Sequence, residues 1–211
     1  MKINLEILNS AFICDKIEIA ELNTKTLVPK MMTRRRLTRA AKIAIYLSNE
    51  VNSNNERIIY GSSFGELKSS ATILNNINNE ETISPTIFQN SVYNTAVSYL
   101  SMLNSNKNEI LTISSGDNTS LNILKTAAIK ALDGDEILLM ITETLNIDKI
   151  EELNNCIDYL ECGVALKVKV TTQDANLSFD NISNPNNYPR SILHMLHIAQ
   201  NQDKNIVEIN I

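Results

Sequence analysis

Residues 112–144, TISSGDNTSLNILKTAAIKALDGDEILLMITET, constrain the fold of this 211-residue chain more than any other stretch. The β-rich run ILTISS leads into a tight turn at Gly116, and a helix with apolar spacing follows from about Asn118. Asp133-Gly134-Asp135 ends that helix, and EILLMITET is the best candidate in the chain for a buried strand. Such a strand–turn–helix elbow is where many enzymes mount a nucleophile, because the turn presents one side chain at a helix N-terminus. The residue presented here is Asp117.

The rest of the chain extends this pattern into a mixed α/β order. LEILNSAFIC reads as a first strand, followed by an irregular stretch near Pro29. TRRRLTRAAKIAIYLSNEV carries Leu37, Ala40, Ala41, Ala44, Ile45 and Leu47 at helical spacing and predicts one amphipathic helix. ERIIYGSS is a short strand stopping at Gly61, and GELKSSATILNNINNEE a helix. SPTIFQNSVYNTAVSYLSML opens with Ser84-Pro85, a helix-start signal. DKIEELNNCIDYL predicts another amphipathic helix, and GVALKVKV alternates as a half-exposed strand would. A loop over 173–189, a last helix RSILHMLHIAQNQ and a short terminal strand NIVEINI complete a single domain over 1–211.

Composition narrows the function classes. A net charge of −5 gives no general attraction to nucleic acid or anionic membranes. No apolar run approaches the roughly 20 residues needed to span a bilayer. The N-terminus lacks a basic region and a cleavage site, so the expectation is a cytoplasmic protein. Arg34, Arg35, Arg36 and Arg39 form a local exception. They are read first as surface-helix arginines paired with acidic neighbours, and otherwise as a docking site for an acidic partner. Cys14, Cys156 and Cys162 lack CxxC spacing and read as buried thiols.

Several chemistries lack their residues. No serine sits between two glycines as a hydrolase elbow requires, and GSSFGE lacks the lysine of a phosphate-binding loop. His194 and His197 could share a helix face, but no third ligand stands near in sequence, so no metal site is expected.

At this point the motifs resemble a known family. The elbow-containing run resembles the nucleophile segment of β-ketoacyl synthases of the thiolase fold. GSSFGELKSSATIL resembles the turn preceding their dimer-interface region, and SPTIFQNSVYNTAVSYLSM the segment with pocket-lining apolar residues and an Asn. PKMMTRRRLTRAAKIAIYLSNEV is similar to the early arginine-rich helix of the short subfamily called chain-length factors, which accompany aryl polyene and related pigment pathways. The resemblance covers most of residues 1–145 and weakens beyond.

Two departures shape what it implies. Asp117 stands where the synthase has its cysteine, and a carboxylate cannot form the acyl thioester by thiolate attack. The synthase half carrying the catalytic histidines has no counterpart here. The resemblance therefore implies a thiolase-like half-fold, a mixed sheet packed with helices, acting as a non-catalytic subunit beside an active β-ketoacyl-ACP synthase. It would shape the acyl tunnel of a polyene or fatty-acid-like pathway, with no cofactor, and meet acyl carrier protein through the complex. Ile87, Phe88, Asn94, Gly116, Asp117 and Asn118 are the expected tunnel or interface residues, with no catalytic residue among them. The helix over 90–102 and the strand ILTIS are the expected contact surface. A small enzyme using Asp117 on an acyl substrate and a self-associating binding module are the alternatives.

Overall fold

The computed structural model describes residues 1–153, 156–179, 182–201 and 203–211. Their strands are β1 (Lys2–Asp15), β2 (Arg57–Gly61), β3 (Ile110–Ile113), β4 (Ile137–Thr144), β5 (Glu161–Thr171) and β6 (Ile206–Asn210). The helices are α1 (Thr24–Leu27), α2 (Met31–Arg34), α3 (Arg39–Glu50), α4 (Leu67–Asn78), α5 (Pro85–Gln89), α6 (Thr95–Asn104), α7 (Thr119–Lys130), α8 (Ile150–Leu153) and α9 (Leu193–Gln200).

The strands form one mixed sheet in the order β3-β2-β4-β5-β1-β6. β2, β3 and β4 are parallel, whereas β5, β1 and β6 join by antiparallel pairing. Every residue of β4 is buried, because helices cover both faces. Ile137, Leu139 and Ile141 face one layer, built from α7 and α9, while Leu138 and Met140 face the other, built from α3 and α6. Two glycines set how close these layers come. A side chain on Gly61 would meet Ile123 Cδ1 at 2.5 Å on α7, and one on Gly163 would meet Ile43 Cγ2 at 2.5 Å on α3. The result is a three-layer α/β/α arrangement with a core on each side of the sheet.

Several expected elements differ. The helix expected over 33–51 begins only at Arg39, where Thr38 accepts a hydrogen bond from the Ala41 amide. Arg34 ends the separate α2, and Arg35 and Arg36 lie between the two helices. The helix expected after Ser84 breaks into α5 and α6, so no continuous helix covers 90–102. Of the helix expected over 148–160, α8 keeps one turn; residues 156–160 are bends and coil, and Asn154 and Asn155 lie outside the described residues. Asp180 and Asn181 of the expected loop, and Gln202 of the last helix, also lie outside them. β5 is not half-exposed. Its first six residues are all buried, because β4 and β1 flank it and helices cover it.

Candidate functional site

The elbow between β3 and α7 is held by one threonine. Gly116 has φ +55°, a left-handed conformation that glycine adopts without a Cβ penalty. Thr119 Oγ1 donates to the Gly116 carbonyl at 2.7 Å and accepts from the Ser115 amide at 3.1 Å. This closes a 3₁₀ turn over Gly116–Asn118 with all three residues exposed. Asp117 is 68% exposed and lies 3.7 Å from Arg190 Nη1. An ion pair this exposed adds little stability.

Asp117 and Arg190 line a cleft of about 680 Å³ with Phe64, Cys156, Asn184 and Asn187. Ile87, Phe88, Asn94, Gly116 and Asn118 do not line it. Phe88, on α5, is 65% exposed and Ile87 partly so, while Asn94 stands exposed before α6. The α5–α6 connection does approach the cleft through its neighbour. Tyr93 packs over Gly65, in the same turn as Phe64.

Beneath the cleft lies a buried carboxylate that the sequence reading overlooked. Glu143, near the end of β4, is fully buried. It accepts hydrogen bonds from Ser62 Oγ (2.9 Å), the Ser63 amide (2.6 Å), the Phe64 amide (3.3 Å) and Ser191 Oγ (2.6 Å). Burial pushes its carboxyl pKa up, against the opposing pull of these donors. Glu143 thus ties the turn before α4 to the 3₁₀ turn Arg190–Ile192, which carries Arg190. A glutamate near the end of the strand-forming run ILLMITET, with only threonines as other polar residues, was the available signal. His194 is fixed nearby, with its amide donating to Ser120 Oγ at 3.3 Å and its Nδ1 3.4 Å from the same oxygen. Burial, then His197, lowers its pKa. His197 turns instead to the Ser178 carbonyl at 3.2 Å.

A second polar cluster stands beside α3. Arg39 Nε and Nη2 grip the buried Glu161 at 2.7–2.9 Å, Nη1 reaches Glu18 at 3.3 Å, and Nη2 also bonds the Ile19 carbonyl. Glu66, before α4, accepts from Thr38 Oγ1 at 2.6 Å, and burial raises its pKa to about 7. Among the described residues, only Arg39 of the four arginines pairs with carboxylates. Arg34 donates to the Val28 and Pro29 carbonyls, and Arg35 and Arg36 are exposed. The cysteines are unbridged, but not uniformly buried: Cys162 is buried, Cys14 partly so and Cys156 exposed. Among the described residues, no group of three or more His, Cys, Asp or Glu could hold a metal ion, and no helix is long and apolar enough to cross a membrane.

The fold has relatives among solved structures. A chain of the ketosynthase (ApeO) in complex with its chain length factor (ApeC), from Xenorhabdus doucetiae, aligns at TM-score 0.71 and 23% identity, over 92% of this chain and 90% of that one. The ishigamide ketosynthase/chain length factor aligns at TM-score 0.62 and 12% identity, over 82% of this chain and 63% of that one. A type II polyketide ketosynthase structure with its acyl-carrier protein, AntDE:AntF, aligns at 0.58 and 12%, over 81% and 63%. No curated protein matches the chain. At these identities the likeness establishes the thiolase-like ketosynthase fold. The sequence model for the β-ketoacyl synthase N-terminal domain, however, matches residues 16–208, well past residue 145 where the motif resemblance faded. With the match spanning almost the whole chain and the elbow in place, this protein belongs to the β-ketoacyl synthase N-terminal-domain family.

Proposed function

We propose that this chain is a non-catalytic, chain-length-factor-like subunit that pairs with an active β-ketoacyl-ACP synthase and shapes its acyl tunnel. The observation that carries the reading is Asp117: an exposed carboxylate, engaged by Arg190, stands at the elbow where a synthase needs a thiolate. The partner would elongate the acyl chain in a polyene or fatty-acid-like pathway, with acyl carrier protein meeting the complex. The exposed apolar residues of α4 and α5, among them Leu74, Ile77 and Phe88, together with the sheet edge at β3, are the surface offered to that partner. The fold of the ApeO/ApeC and ishigamide ketosynthase/chain length factor structures supports the pairing.

The test is co-expression with a ketosynthase of such a pathway, sizing of the complex, and product profiling. Ile87→Ala and Phe88→Ala should lengthen the products of assembled complexes by removing tunnel wall. Unchanged lengths from intact complexes would make the chain a scaffold and not a ruler. Condensing or decarboxylating activity of the isolated chain would overturn the non-catalytic reading and favour an enzyme using Asp117, whose cleft is large enough for a small acyl group.

A further inference from the structure

Several partly buried cations of this acid-rich chain meet carboxylates. Arg57 meets Glu109, Asp133 and Asp135; Lys167 meets Glu56 and Glu136; Arg39 meets Glu161 and Glu18. Others, such as Arg34 and Lys125, make no ion pair among the described residues, and four such cations gather in one place. Arg35, Arg36, Lys42 and Lys68 make no ion pair among the described residues, although Lys42 on α3 is partly buried. All four line a cleft of about 450 Å³ between α3 and the start of α4. Arg35 and Lys42 also line an adjoining cleft of about 380 Å³ with Lys25 and Arg34, whose lining holds no acidic residue. In the larger cleft, two of the three carboxylates, Glu18 and Glu161, are occupied by Arg39. The third, Glu66, is held by Thr38.

We propose that a small diphosphate binds where these two clefts adjoin, held by Arg35 and Lys42, which line both. Unpaired guanidinium and ammonium groups around a concavity retain their full attraction for an oxyanion, and guanidinium can hold a phosphate through two parallel hydrogen bonds. Cations on both sides of the shared residues suit a diphosphate better than a single phosphate, because its second phosphate adds contacts at no further cost in translational freedom. The larger cleft, between α3 and the start of α4, suits a small molecule better than the convex surface of a folded partner. The inference is independent of the chain-length reading, since it needs neither a ketosynthase nor an acyl chain.

Isothermal titration of the full chain with inorganic pyrophosphate, orthophosphate and poly-glutamate, at fixed ionic strength, tests it. Pyrophosphate should bind on the order of tenfold tighter than orthophosphate, a difference of about 1.4 kcal/mol. Arg35→Gln and Lys42→Gln should each weaken pyrophosphate by roughly tenfold, with thermal melting unchanged, because neither head group holds other elements together. No pyrophosphate binding at millimolar concentration, or affinity unchanged in both variants, would overturn the proposal. So would poly-glutamate binding that pyrophosphate fails to displace, which would make the surface a docking site for an acidic protein.

Discussion

α7 and α4 are both 12-residue amphipathic helices that follow a strand of the parallel half of the sheet, yet they are held in opposite ways. α7 buries Thr119, Ser120, Ile123, Leu124, Ala127 and Ala128 against β2, β4 and α9. α4 buries none of its residues, and Leu74 and Ile77 are 62% and 56% exposed. Its anchors lie in the preceding turn, where Glu143 collects Ser62, Ser63 and Phe64, and Glu66 meets Thr38. One helix is held along its face by apolar burial, the other at its N-terminal end by buried carboxylates. Under the proposed pairing, the uncovered apolar stripe of α4 is the face offered to the partner.

The largest expected effect probes the buried face. Ile123→Ala should cost roughly 2–5 kcal/mol, read from urea unfolding, because it leaves a cavity between α7 and β2. A loss below about 1 kcal/mol would show that this layer is far looser than its burial indicates.

A smaller effect tests the polar anchor through pH. Burial raises Glu66 from an ordinary 4.5 to about 7, so between these values the folded protein keeps a proton that the unfolded chain releases. The stability contributed by the neutral carboxyl is fully present below about pH 4.5 and is lost as pH rises through 7. Glu66→Gln keeps an acceptor for Thr38 and removes this loss. It should stabilise the protein by about 2–3 kcal/mol at pH 8 and hardly at all at pH 4.5. Equal effects at both values would mean that Glu66 titrates normally.

The smallest effects belong to the exposed side. Leu74→Ala should change the isolated chain by no more than about 0.5 kcal/mol, and a larger loss would mean that α4 is already covered. Asp117→Asn should likewise leave folding within about 0.5 kcal/mol and leave turnover of an assembled complex intact. A collapse of turnover with assembly preserved would assign Asp117 to catalysis.

The alternation of strands with the longer helices, the buried strand β4, the elbow at Gly116 and the amphipathic character of α3 and α7 were legible in the residues, because helix and strand periodicities and glycine turns are local properties of the chain. Its motifs also pointed to the ketosynthase family. Tertiary packing made β5 central and buried, which alternation cannot reveal because it does not show what covers the second face of a strand. It broke the apolar run after Ser84 into two helices, and chose Arg39 from four neighbouring arginines to meet Glu161, 122 residues away. Likewise it brought Ser62, Glu143 and Ser191 together from three distant segments. Such partners are invisible in sequence because the free energy of burying a charge depends on which donors the completed fold places around it, and no local pattern encodes that choice.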